Sequence, residues 1–359
     1  MTPTPDTSSA RRRALRRPGR AAGAALVASA LLVASACASE SGSDAGADPG
    51  TGTGAETDAA GVGAFDATPE YLQHAADQST AEGYRIEVLF SIDGEIDDDT
   101  PTMMTGGLEG DRFHYVMDLG AIVGPMTEAL GESRPAELDG VDMTIEMARD
   151  DEALYLRAPV YAELADTPGL GPAGELGAIG DGWGYVDMAE LGDQHPSDLT
   201  AAMGSQGFDP QVAVRMIETA DDVSDLGSSE VRGVAVQGLS AEVTIADMLE
   251  ASGQDPDALA EVAANGTAEE VTAALYDTTV PVEVWVDDDG YLRRLQYGYS
   301  LGDVLDAMSW DPSGPAGGGM LDLDFAYAVD MFDYGAELDF EPPDDAVDIT
   351  DAFAALVQA

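Results

Sequence analysis

The sequence predicts an α+β fold built on one curved antiparallel β-sheet. Three observations lead there. Several segments alternate strictly between apolar and polar residues, the period of a strand with one buried and one wet face. Asp-Gly and Gly-rich turns separate many of them, as hairpins require. Segments with helical spacing interrupt the strands in the middle of the 359-residue chain. Parallel sheets tend to be apolar throughout, so the alternation points to antiparallel pairing.

The chain opens on polar residues and then a basic block, Arg11-Arg12-Arg13-Ala14-Leu15-Arg16-Arg17-Pro18-Gly19-Arg20. Sixteen uncharged residues follow, Ala21 to Ala36, made of Ala, Leu, Val, Ser and one Gly, and Cys37 comes directly after. A positive stretch, a short apolar stretch and small residues before a cut site are the parts of a secretory signal. A membrane-spanning helix needs about 20 apolar residues, so this run is too short and too weakly apolar for a permanent span. Residues 1–36 therefore read as a signal peptide. The arginine pairs leave open whether export uses the general or the twin-arginine route.

Ala38 to Ala64 is mostly Gly, Ser, Ala, Thr and Asp, with two Glu, one Pro, no aromatic residue and one valine. Such a segment buries too little apolar surface to offset the entropy of ordering. It reads as a tether, residues 37–64, leading to a single domain over 65–359. About 300 residues suffice for a hydrophobic core of their own. Cys37 is the only cysteine, so no intramolecular disulfide can help even in an oxidising compartment.

Thr68-Pro69-Glu70 supplies a helix cap and a proline at the first helical position, with Tyr71, Leu72 and Ala75 on one side. Tyr84, Ile86, Val88, Phe90 and Ile92 then alternate with polar neighbours up to a turn at Asp93-Gly94. Phe113, Tyr115 and Met117 share one face of a second strand, and Val141, Met143, Ile145 and Met147 one face of a third. Helices are predicted over Pro210–Asp221, Asp255–Ala264 and Ala268–Tyr276, with a strand through Ala241, Val243 and Ile245. Val282, Val284 and Val286 lead into a hairpin turn at Asp287-Asp288-Asp289-Gly290 and out along Tyr291 to Tyr299. A Gly/Pro loop covers Pro312 to Gly319. The strictest alternation is Leu321 to Met331, which carries Leu323, Phe325 and Tyr327.

Charge narrows the partners. All fifteen basic residues are arginine, against 69 acidic ones. Nine arginines and 68 carboxylates follow the signal, a formal charge of −59. A surface this acidic repels nucleic acid and anionic lipid head groups at long range, within the limits of screening. Nucleic-acid binding is excluded. A salty habitat and the codon usage of a GC-rich genome both fit such acidity.

Catalytic chemistry finds little footing. His74, His114 and His195 lie far apart, without a second ligand at metal spacing. No Gly-x-Ser-x-Gly elbow and no phosphate-binding glycine loop occurs. Asp287-Asp288-Asp289-Gly290 suggests calcium, yet the calcium loop would require an acid or Asn where Trp285 stands, so a plain turn is expected. Asn265-Gly266-Thr267 is a formal sequon only. The expectation is a protein that is not an enzyme and holds neither metal nor cofactor. Methionines and aromatics on the inward strand faces stand out instead, and methionine suits surfaces that accept varied apolar partners.

Val33-Ala34-Ser35-Ala36-Cys37 resembles the lipobox of bacterial lipoproteins, with Ala34 where Leu or Val is usual. That resemblance implies a diacylglyceryl group on Cys37, and two or more acyl chains anchor a protein firmly. A second resemblance lies downstream. Val223-Ser224-Asp225-Leu226-Gly227-Ser228-Ser229-Glu230-Val231-Arg232-Gly233-Val234, then Val280-Pro281-Val282-Glu283-Val284-Trp285-Val286-Asp287-Asp288-Asp289-Gly290-Tyr291-Leu292-Arg293-Arg294-Leu295, then Met331-Phe332-Asp333-Tyr334-Gly335 and Pro342-Pro343, are similar to the actinobacterial LppX/LprA/LprF/LprG lipoproteins, related in fold to LolA. Gly107-Leu108-Glu109-Gly110-Asp111-Arg112 and Gly182-Trp183-Gly184-Tyr185-Val186-Asp187 fit the same layout. Where that pattern carries a His-Tyr pair after Arg-Gly-Val, this chain has Gln237-Gly238-Leu239.

The resemblance implies an open half-barrel with helices covering its concave face and an apolar cavity between them. It also implies a lipid or acylated glycolipid as ligand, carriage through the cell envelope, and a location at the extracytoplasmic face of the cell membrane, as a monomer. The candidate cavity wall is Tyr84, Ile86, Val88, Phe90, Phe113, Tyr115, Met117, Met143, Ile145, Val282, Val284, Leu323, Phe325 and Tyr327. Arg293 or Arg294 is a candidate for an anionic head group, with salt bridges to nearby carboxylates as the alternative. The rival functional reading is a ligand-free module that docks an envelope protein.

Overall fold

The structure is a computed structural model that describes residues 69–97, 99–129, 140–150, 153–164, 177, 179–194, 209–220, 222–252, 255–257, 268–302 and 323–357. The signal, Cys37, the tether, His195, the Asn265 sequon, most of the Asp255–Ala264 helix and the Pro312–Gly319 loop lie outside the described residues.

In chain order the elements are α1 (Pro69–Ala81), β1 (Tyr84–Ser91), β2 (Thr102–Glu109), β3 (Arg112–Asp118), α2 (Gly120–Ala129), β4 (Thr144–Arg149), β5 (Ala153–Arg157), α3 (Pro159–Leu164), β6 (Gly184–Asp187) and α4 (Met188–Gln194). There follow α5 (Pro210–Thr219), β7 (Val223–Val231), β8 (Val234–Thr244), α6 (Ile245–Ala251), α7 (Ala268–Asp277), β9 (Thr279–Asp287), β10 (Leu292–Ser300), β11 (Asp324–Phe332), β12 (Val347–Asp348) and α8 (Thr350–Val357). All the strands join one 12-stranded sheet in the order β12-β6-β5-β4-β3-β2-β1-β11-β10-β9-β8-β7. Its two ends do not pair with each other, so the sheet is an open one with helices packed on it, an α+β architecture. Among the described residues every ladder is antiparallel except the short parallel pairing of β12 on β6, and a single parallel bridge joins Asp93 to Asp324, a departure from the purely antiparallel expectation.

The sheet is strongly twisted. Arg232, at the tip of the β7–β8 hairpin, lies 4.0 Å over the Phe332 ring of β11 and pairs with Glu87 of β1. Flat strands four places apart would be separated by about 19 Å. The contact therefore requires the hairpin tip to lean back across the outer face. Bulges at Val88/Leu89, Leu292/Arg294 and Asp225/Gly227 add to the bend.

The inner face carries the core. α1 and α5 pack on each other, α5 on β8 and β9, α1 on β10, and α2 on β2. Leu72, Ala75, Val212 and Ile217 of α1 and α5 join the inward residues of the strands in one buried cluster. α5 begins where Asp209 accepts the Gln211 N–H at 2.9 Å and Pro210 takes the first position.

Several expected boundaries move for local reasons. Ile245 does not extend its strand: Thr244 accepts the Asp247 N–H at 3.0 Å and caps α6 there. Val141 and Met143 precede β4 rather than lie in it, and the strand runs on to Arg149. Tyr291 belongs to the turn, because its N–H is taken by Asp287 at 2.8 Å, and Ile92 lies past the end of β1. The face of β11 expected to be wet is buried as well: Ala326, Ala328 and Asp330 are all enclosed on the outer side.

Candidate functional site

Each candidate wall residue that lies in a strand points inward, because side chains of a strand alternate between faces. The register joins them: Ile86 opposes Met331, Val88 opposes Val329, Phe90 opposes Tyr327, Tyr115 opposes Met147 and Met117 opposes Ile145. Val282 and Val284 stand across from Tyr297 and Leu295 of β10. Met143 and Leu323 flank the strands, and their carbonyls accept the Leu119 and Leu301 N–H groups at 3.1 and 2.9 Å. All fourteen belong to the same cluster, and none is more than 7% exposed. The wall residues therefore pack against each other and against the helices.

One end of this face is aromatic. Phe90 lies 4.9 Å from Tyr327 and 5.8 Å from Phe325, Tyr297 lies 5.4 Å from Tyr327, and Tyr299 lies 5.5 Å from Phe325, centroid to centroid. Spacings of this kind add specific attraction to simple burial. Towards the other end Phe113 stacks on Tyr115 at 4.7 Å. Tyr115 also lies over Gly106, where any larger residue would collide with its ring. Burial pushes the Tyr84 and Tyr115 hydroxyls up, so both stay neutral and add no charge to the face.

Between β1 and β4 the apolar inward residues are rich in methionine: Met104, Met117 and Met147, with Met143 and Met126 beside them. Arg149 is the one charged residue at the inward positions of β1 to β5, opposite Phe113 on one side and Leu154 on the other. The sequence reading missed it, although it continues the inward alternation of Ile145 and Met147.

The arginines proposed for a head group are engaged elsewhere. Arg294 holds Asp330 through two hydrogen bonds of 2.6 and 2.9 Å, and Asp330 is only 2% exposed. Arg293 holds Asp287 at 2.6 Å. The same Asp287 carboxylate accepts the Asp289 and Tyr291 N–H groups, so the acidic run that suggested calcium is a turn closed onto its own arginine. His114 sits on the outer face, 2.9 Å from Glu146, which also meets Arg157 at 3.4 Å. His74 is exposed on α1.

A pocket of about 320 Å³ opens on the outer face, between Arg85, Thr105, Gly107, His114 and the chain at Ala336 to Asp339. That chain crosses the sheet as a strap. The Leu338 N–H reaches Glu109, and the Phe340 ring lies 5.1 Å from His114, 5.7 Å from Tyr155 and 5.8 Å from Trp183. Nothing in the sequence alternation signals this pocket, because residues of four strands, β1, β2, β3 and β11, and a non-regular segment build it.

No family model and no curated protein matches the sequence. Solved structures do. The fold is similar to that of the Mycobacterium tuberculosis lipoprotein LppX, at 8% identity and a TM-score of 0.36, over 76% of this chain and 97% of that one. It is also similar to LprF from Mycobacterium bovis, at 10% identity and a TM-score of 0.32, over 77% of this chain and 96% of that one. A LolA superfamily protein from Nitrosomonas europaea matches at 8% identity and a TM-score of 0.18, over 76% of this chain and 94% of that one. The chain resembles LppX and LprF.

Proposed function

We propose that this protein is an exported lipoprotein, anchored at the extracytoplasmic face of the membrane through Cys37. Its 65–359 domain binds an acyl chain of a lipid or glycolipid between the inner sheet face and the helices, for carriage through the envelope. The observation that carries this reading is the continuous apolar inner face, methionine-rich from β2 to β4 and aromatic at the far end of β1, β10 and β11. Methionine has three rotatable bonds and a polarisable sulfur, so such a wall can part and close around an alkyl chain. Each methylene moved out of water gains about 0.8 kcal/mol, enough for a shielded chain to be held.

Nothing in this reading requires an enzyme. A second reading, a module that docks another envelope protein, is favoured by the close packing of the fourteen wall residues. Val223 and Leu226 on the edge strand β7, 41% and 42% exposed, are its natural contact points. Native mass spectrometry followed by solvent extraction separates the two. A co-purifying acylated molecule supports the lipid reading. A clean apo mass, with no uptake of a fluorescent acyl probe, would replace it with the docking module.

A further inference from the structure

An arginine on an apolar face needs a reason, and Arg149 has none within the described residues. It closes β4 on the inner side, with Phe113 and Leu154 as its cross-strand neighbours. Its Nε is buried with no hydrogen-bond partner, and among the described residues no carboxylate pairs with it. The other described arginines are held: Arg85 by Asp333, Arg112 by Glu109, Arg157 by Glu146, Arg232 by Glu87, Arg293 by Asp287, Arg294 by Asp330, and Arg215 by the Ala251 carbonyl at 2.8 Å. Arg149 is only partly buried as a residue, yet its enclosed Nε stays unmatched although 68 carboxylates follow the signal, and an enclosed donor left unpaired is costly.

We propose that Arg149 is the head-group subsite of the lipid site, and that the ligand is an acyl lipid carrying a phosphate. This rests on the lipid-binding reading and specifies its ligand. The planar guanidinium fork matches phosphate oxygens two at a time, as an ammonium does not. From Arg149 the inward positions of β3 and β4 continue as Tyr115, Met147, Met117 and Ile145, an apolar track on which the alkyl chains lie. The negative field of the whole molecule disfavours anions everywhere else. An anionic head group is thus accepted only where this cation stands, and a phosphate that arrives there supplies the missing partner.

The test uses the full chain carrying Cys37→Ala, so that no anchor lipid is counted. It is incubated with an equimolar mixture of dioctanoyl phosphatidylglycerol and dioctanoylglycerol, both dissolved as monomers, and the adducts are read by native mass spectrometry. The phosphatidylglycerol adduct is expected to exceed the neutral one by about tenfold, the worth of a charge-assisted pair. Arg149→Met is expected to bring the ratio to about one while still taking up the neutral lipid, and Arg149→Lys to restore part of it. Arg149→Met is also expected to leave the ligand-free protein at least as stable to heat, because it removes an enclosed, unpaired N–H. Uptake of both lipids with no preference, or a preference unchanged in Arg149→Met, overturns the subsite and leaves the lipid reading intact. Uptake of neither lipid overturns both. Equal thermal stabilisation by inorganic phosphate alone, lost in Arg149→Met, assigns the site to a free anion and overturns the lipid part.

Discussion

On the β8–β11 side of the sheet the buried inward residues are mainly branched: Leu239 and Val243 on β8, Val280, Val282, Val284 and Val286 on β9, Leu295 on β10 and Val329 on β11. On the β2–β4 side they are Met104, Met117, Ile145, Phe113 and Tyr115, with Met147 partly buried beside them. Branching at Cβ restricts the side-chain rotamers of valine, whereas methionine has three rotatable bonds. The covering helices follow the same division. α5, over β8 and β9, is capped by Asp209 and opens on Pro210. α2, beside β2, contains Pro125, which removes a helical hydrogen bond from its middle. The outer faces differ too. Asp330 is locked by a two-point bond from Arg294, whereas Glu146 shares partly exposed contacts with His114 and Arg157. One half of the molecule is stiff on both faces and the other is built to adjust.

Breaking the stiff half from outside has the largest expected effect. Arg294→Met strands the Asp330 carboxylate in the sheet and is expected to cost about 3–5 kcal/mol, read as a fall in the urea midpoint. Inside, Val284→Leu adds a methylene to a closed layer and is expected to cost about 1–3 kcal/mol, while Met117→Leu, a volume-conserving change, stays below about 1.5. A larger cost for Met117→Leu than for Val284→Leu in urea unfolding would erase the contrast between the halves. On the adjustable half, Glu146→Gln loosens only half-exposed ion pairs and is expected to cost less than about 1 kcal/mol.

The smallest effect separates two helix ends by pH. At the β12 edge, Asp348 accepts the Thr350 N–H and hydroxyl, and these bonds hold its carboxyl below the usual range. A carboxyl lowered in the folded state stabilises it at neutral pH, and that contribution is lost as pH falls through the carboxylate range, below about 4. Asp209 behaves oppositely. Burial pushes its carboxyl up, against the bond from Gln211, so its contribution is present at low pH and fades as pH rises through its folded-state value. Acidification from pH 6 to 3 is therefore expected to lower the amide-exchange protection factors of α8 before those of α5. Loss of the difference in Asp348→Asn would confirm the cap as its source.

Much of this was legible because strand alternation reports a buried face directly. The inward sets of β1, β3 and β9 were all marked by their period. β2 was not, since Thr102-Met103-Met104-Thr105-Gly106-Gly107 has no alternation: Gly106 sits under the Tyr115 ring, a cross-strand relation that no local window contains. β5 and β6 are too short to show a period, and β12 has two residues. Arg149 was missed for a related reason. A charged residue at the end of an apolar alternation looks like the end of the strand.

The sequence by itself determined the apolar faces of the longest strands, the hairpin at Asp287 to Gly290, the acidity, and the helices at Pro69, Pro210 and Ala268. All of these rest on contacts between near neighbours in the chain or on composition. Tertiary structure alone decided that β1 lies between β2 and β11, that the outer side of β11 is buried, that Phe340 settles among His114, Tyr155 and Trp183, and which arginines find carboxylates. Arg294 meets Asp330 across 36 positions and Arg232 meets Glu87 across 145. Partners that far apart are chosen by sheet order and twist, which belong to the whole chain.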